Sequence, residues 1–199
     1  MKRRLTTIFT TFLVTTSCAM AEKTTPQPTQ HLTEQQRQRY FNHLEYEYGN
    51  RGRTYIGMRK IAKYAAGSER GEFFQAYYEM EVINQQILGH MQSELGVDYE
   101  ANWFIRSGLH MFSYLGWRFV SPQQLIDVII PYMPKLEEME SLASPEHKTF
   151  FAYIVAQEQA QLDACRAAKH KSWDSGAEVF RDFLPQAKAE LQRLLNSSN

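Results

Sequence analysis

The chain has almost no cysteine. Of its two, Cys18 lies near the amino terminus and Cys165 stands alone in the remainder. A lone cysteine closes no internal bridge, so this is not a disulfide scaffold. Charge of either sign is not in surplus: 22 Lys and Arg residues balance 22 Asp and Glu. With no basic excess, nucleic acid is not an expected partner. No apolar run beyond residue 21 approaches the ~18 residues of a membrane span. Alternating Val/Ile/Thr stretches bounded by turn residues are missing, so strands are not expected. The chain also lacks a Walker A loop, G-x-G-x-x-G, G-x-S-x-G, H-E-x-x-H and C-x-x-C. None of the common nucleotide, hydrolase, zinc-protease or thiol-redox signatures is therefore written into it.

What is there begins at the amino terminus. Lys2, Arg3 and Arg4 precede the largely apolar stretch Leu5–Val14, and Ala19-Met20-Ala21 forms an A-x-A site. This is the layout of a secretory signal peptide over residues 1–21, and it predicts a periplasmic or secreted protein. Cys18 raises lipoprotein anchoring as an alternative. Thr15, three residues before it, is not the larger aliphatic residue of a lipobox, so A-x-A cleavage fits better. After cleavage the chain carries three more acidic than basic side chains and has no membrane span, and its length suits one domain. Residues 22–32, polar and proline-bearing, read as a flexible leader before a domain over 33–199.

Helix punctuation dominates that domain. Thr33 with Gln36 makes a capping box, and the pattern it opens runs to about Ala66, before Gly67. Ser68 begins a second helix that stops at Gly96. Residues 103–119 form a third apolar segment. Ser121-Pro122 with Gln124 caps a fourth, which meets Pro131 and Pro134 and is expected to kink there. Ser144-Pro145 opens a fifth to about His170. Ser175 with Glu178 caps a last helix ending near Leu195. The predicted fold is all-α: a single bundle of five or six mostly antiparallel helices.

Two of the apolar stripes carry residues foreign to a core. The second helix reads Phe74, Tyr77, Glu81, Asn84, Leu88, Met91; the fifth reads Phe151, Ile154, Glu158, Gln161, Cys165. On the first helix Glu45 is placed on a stripe with Phe41, Tyr48 and Tyr55. A buried carboxylate needs a cation or a shifted pKa. Arg51, Arg59, Arg106 and Arg118 can supply the cation, and such a polar layer would set helix register. Cys165 reads as a small core residue.

Glu81-x-x-Asn84, Glu158-x-x-Gln161 and the lone Glu45 resemble the ferritin-like superfamily of four-helix bundles. There, paired Glu-x-x-His positions and single glutamates hold metal. The resemblance implies a di-iron or di-manganese site with Glu45, Glu81 and Glu158 as ligands, and a redox or metal-storage role. Here both histidines of the pairs are replaced by the neutral amides Asn84 and Gln161.

The competing expectation is a non-catalytic exported protein. Trp103, His110, Tyr114 and Trp117 share an aromatic face that suits a binding surface, because tryptophan and tyrosine are enriched at binding hot spots. The partner would be an envelope protein or a small molecule. His90, among Ile83, Ile87 and Glu94, reads as a structural histidine.

Overall fold

A computed structural model describes residues 29–97 and 117–197. The proposed signal peptide lies outside them, as do Trp103, His110 and Tyr114. Of Trp117 only the backbone is described, opening a short 3-10 turn, Trp117–Phe119.

The described residues fold as α1 (Glu34–Ala65), α2 (Gly71–Met91), α3 (Pro122–Ile129), α4 (Met133–Leu142), α5 (Lys148–His170) and α6 (Trp173–Ser197), with no strand among them. The fold is an all-helical bundle. The capping box at Thr33 is formed: Gln36 N–H donates to Thr33 Oγ1 at 3.3 Å, and Thr33 N–H donates back to Gln36 Oε1 at 2.9 Å. Ser121 and Gln124 repeat it, with Pro122 in the first turn of α3. Gly67 (φ +77°) and Gly96 (φ +68°) take the left-handed conformation that ends α1 and follows α2.

Several boundaries differ from expectation: α2 opens at Gly71 and closes at Met91, short of the expected Ser68 start and Gly96 stop, and α5 opens at Lys148 rather than at Ser144-Pro145. The proline-bearing stretch is broken rather than kinked. It turns after Ile129 and restarts at Met133, where Pro134 sits in a first turn that needs no donor. The last helix starts before Ser175. Ser172 caps it, its Oγ accepting from Ser175 N–H at 3.1 Å and its carbonyl from Gly176 N–H at 3.2 Å.

α1 packs on α2 and α4, α2 also on α6, and α5 on α6, α3 and α4. Buried apolar residues form two clusters. One joins Tyr40, Leu44 and Tyr48 of α1 to Ile87 and Met91 of α2, Phe150, Phe151 and Ile154 of α5, and Ala187 and Leu194 of α6. The other joins Met58, Ile61 and Ala65 to Phe73, Phe74 and Met80, to Leu162 and Cys165, and to Ala177 and Phe180. The early half of α1 thus shares an end with the late half of α2, and α5 and α6 are related in the same way, so both pairs are antiparallel. α2 and α6 run the same way, which brings Phe73 against Trp173 and Phe180. Close contact is tightest at Gly176, where an added Cβ would lie 2.7 Å from the Ala164 carbonyl oxygen and 2.8 Å from the Phe73 ring.

A candidate site in the bundle interior

Between the two apolar clusters the bundle carries a band of buried polar side chains. Arg51, Glu47, Glu81, Asn84, Gln157, Glu158 and Gln161 are each at most 2% exposed. They fall on α1, α2 and α5 at the residues where one apolar cluster gives way to the other.

Arg51 organises the band. Its Nη1 donates to Glu81 Oε1 at 2.9 Å, its Nη2 donates to Glu158 Oε2, and its Nε lies 3.0 Å from Glu47 Oε1. The Glu47 contact is a charge contact without hydrogen-bond alignment. Tyrosines complete the shell. Tyr132 Oη donates to Glu47 Oε2, Tyr77 Oη to Gln161 Oε1, and Tyr153 Oη to Asn84 Oδ1 at 2.5 Å. Gln161 Nε2 reaches Glu81 Oε1 at 3.4 Å.

Three carboxylates against one guanidinium is an unbalanced buried charge, and burial disfavours the charged forms. Burial pushes the carboxyl of Glu81 up to about 7, opposed by Arg51 and reinforced by Glu47. Glu158 is pushed up to about 7 for the same reason, with Arg51 opposing and Glu47 and Glu81 reinforcing. Burial also works against the charge on Arg51, but Glu158, Glu47 and Glu81 outweigh it and hold its pKa well above the ordinary value. Below neutral pH Glu81 and Glu158 therefore hold protons. Burial raises the phenols of Tyr77, Tyr132 and Tyr153 too, so they act as neutral donors.

Glu81 and Glu158 are buried, as their stripes predict, and Arg51 is the cation they meet. Glu45 is not part of the band: it is exposed. The buried face of α1 runs through Tyr40, Leu44, Glu47, Tyr48 and Arg51, and Glu45 projects from another side. Glu47 takes the place assigned to Glu45. The sequence reading missed it, although Glu47 and Arg51 are spaced i, i+4 and so share a helix face. Tyr132 was missed as well, because it sits at the break between α3 and α4 where helical periodicity gives no guidance.

The band does not fit the dinuclear metal centre that the resemblance implies. A guanidinium sits among the carboxylates a metal pair would use, and Asn84 and Gln161 accept from tyrosines. Among the described residues no group of three His, Cys, Asp or Glu side chains is placed to hold a metal ion.

A second polar array lies at the start of α5. Ser144 Oγ is 2.9 Å from His147 Nδ1, and His147 Nε2 is 2.8 Å from Glu94 Oε1. The order Ser–His–Glu has the outline of a nucleophile relay. Pro145 follows the serine, however, so the neighbouring backbone donor of an oxyanion site is missing. Ser144 and His147 are also buried, and His147 N–H donates to the Ser144 carbonyl at 3.0 Å. The array reads as a turn before α5 tied to the segment that follows α2. No family model matches the chain, and no curated protein or solved structure shows significant similarity to it.

Proposed function

We propose that the chain is an exported, non-catalytic helical-bundle protein that acts by binding a protein or small molecule in the cell envelope. The observation that carries this reading is a run of large apolar side chains in solvent. Phe119 is 79% exposed, Val128 69% and Ile130 49%. All three fall within residues 119–130, and exposed apolar surface, where contiguous, marks interaction sites. In sequence they follow directly on Trp103, His110, Tyr114 and Trp117. Lys2, Arg3, Arg4 and the A-x-A site support export, and no helix among the described residues is long and apolar enough to cross a membrane. The interior band supports a non-catalytic role, because Arg51 and the tyrosines already engage its carboxylates.

The test is site-specific photocrosslinking in expressing cells, with benzoylphenylalanine in place of Phe119 or Val128. A discrete adduct in the envelope fraction, on a chain lacking residues 1–21, is the expected result. A chain that keeps residues 1–21, stays in the cytoplasm and gives no adduct would refute the reading. So would about two metal ions per purified chain that are lost on Glu158→Ala.

A further inference from the structure

Phe119 projects into solvent, yet the backbone on either side of it is held. Arg70, the residue before α2, reaches across to the turn Trp117–Phe119. Its Nη1 donates to the Arg118 carbonyl at 2.9 Å and to the Val120 carbonyl at 3.1 Å. These are the carbonyls that flank Phe119. The guanidinium lies over the Trp173 ring at the start of α6, 5.0 Å from its centroid, and Trp173 packs edge-on against Phe73. Arg70 is itself fixed where α2 begins. Its N–H donates to Ser68 Oγ at 3.3 Å, and its carbonyl accepts from Phe74 N–H at 3.2 Å.

The turn is held from its other side as well. Val120 packs against the second apolar cluster, the turn contacts α1, and Ser121 N–H donates to Gln124 Oε1 at 2.9 Å. Between these points the Phe119 side chain is left outside, 79% exposed. Ordering a backbone costs conformational entropy. A binding residue whose backbone is ordered beforehand has met that cost before a partner arrives.

We infer that Arg70 is a positioning residue for the binding surface: held between the Trp173 ring and two carbonyls, it presents Phe119 as a pre-ordered anchor. The inference rests on the binding role proposed above, whereas the clamp is a property of the chain alone. Arginine suits the place. Nη1 carries two N–H groups, one for each carbonyl, and the planar guanidinium can stack on an aromatic ring at the same time.

Nitrogen-15 relaxation of the purified chain tests the clamp without any partner. Order parameters at residues 118–120 should be near the value of about 0.85 typical of rigid backbone, and Arg70→Gln should lower them below about 0.6. Residues 33–36, held by their own capping box, should keep theirs. Arg70→Lys, which retains a cation with several N–H groups on one nitrogen, should fall between the two. Values below about 0.6 in the wild type, or no change in Arg70→Gln, would each overturn the clamp. Photocrosslinking then tests what the clamp is for. With benzoylphenylalanine in place of Val128 and Phe119 intact, Arg70→Gln should cut the adduct yield severalfold at an equal amount of folded protein. An undiminished yield beside lowered order parameters would overturn the positioning role. No adduct from the parent chain would count against the binding role itself, and the order parameters would still decide the clamp.

Discussion

Replacing Arg51 with methionine removes the one cation from a band of three carboxylates while nearly keeping the side-chain length. Arg51 contacts Glu47, Glu81 and Glu158, and all four residues are at most 2% exposed. Removing one member of a buried ion pair costs ~3–5 kcal/mol, because the other is left charged and unpaired. Here one residue serves three partners, so the upper end of that range applies. For a domain of this size ~1 kcal/mol moves Tm by ~2–4 °C, and a loss near 5 kcal/mol lowers Tm by ~10–20 °C. That is a large part of the ~5–15 kcal/mol that typically separates folded from unfolded chains. The deficit should shrink at pH 5, where protonated carboxyls no longer need the cation. It should also shrink in Arg51→Met combined with Glu81→Gln and Glu158→Gln, which removes two of the stranded charges. Thermal unfolding followed by circular dichroism at pH 5 and pH 8 measures all of this. A single variant that melts within about 3 °C of the wild type at pH 8 would refute the reasoning.

Further outcomes follow from the same geometry. Burial raises Glu81 and Glu158 from 4.5 to about 7, so their contribution to stability is complete below pH 4.5 and is lost as pH rises through 7. Denaturant curves between pH 5 and pH 8 should show that decline. The Glu81→Gln, Glu158→Gln double variant should lose a slope of the order of 3 kcal/mol per pH unit, the sum for two groups; an unchanged slope contradicts it. Burial pushes the Cys165 thiol up to about 12 and leaves it 0% exposed, so the native chain should resist iodoacetamide at pH 8 and react only as it unfolds. Rapid labelling of the native protein is the contrary result. Gly176→Ala forces a Cβ to within 2.7 Å of the Ala164 carbonyl oxygen and should cost about 1–3 kcal/mol in urea denaturation, where an unchanged midpoint would show that the α5–α6 contact has room to give.

Much of the fold was legible because helix ends advertise themselves chemically. The boxes at Thr33 and Ser121 and the glycine at 67 place their boundaries directly, since each supplies a donor, an acceptor or a left-handed φ that a helix end needs, whereas α2 closes at Met91, short of Gly96. The start of α6 was misread because Ser172 and Ser175 are both acceptable caps. The choice between them depends on packing, which places Gly176 and Ala177 inside the helix against the core. The interior band was partly legible. Glu81 and Glu158 interrupt otherwise apolar stripes, and a charge on such a stripe has to be explained. Glu45 and Glu47 differ by only two positions on a tyrosine-rich helix with a weak contrast between its faces, so periodicity alone did not separate them. Gln157 gave no signal in sequence, because a glutamine beside a glutamate on a long helix is ordinarily solvated. Its burial comes from the packing of α5 within the bundle.

The central claim is that a buried, charged guanidinium gathers carboxyls across the middle of the bundle, of which Glu81 and Glu158 keep their protons up to near neutral pH. Carbon-13 detection of the glutamate side-chain carboxyls, titrated from pH 3 to pH 9, tests it most directly. Two buried carboxyl resonances, lost in Glu81→Gln and Glu158→Gln respectively, should titrate near neutral pH, displaced upward from 4.5 to about 7. If both titrate at the ordinary carboxyl value of 4.5, the band is open to solvent and the account of the interior fails.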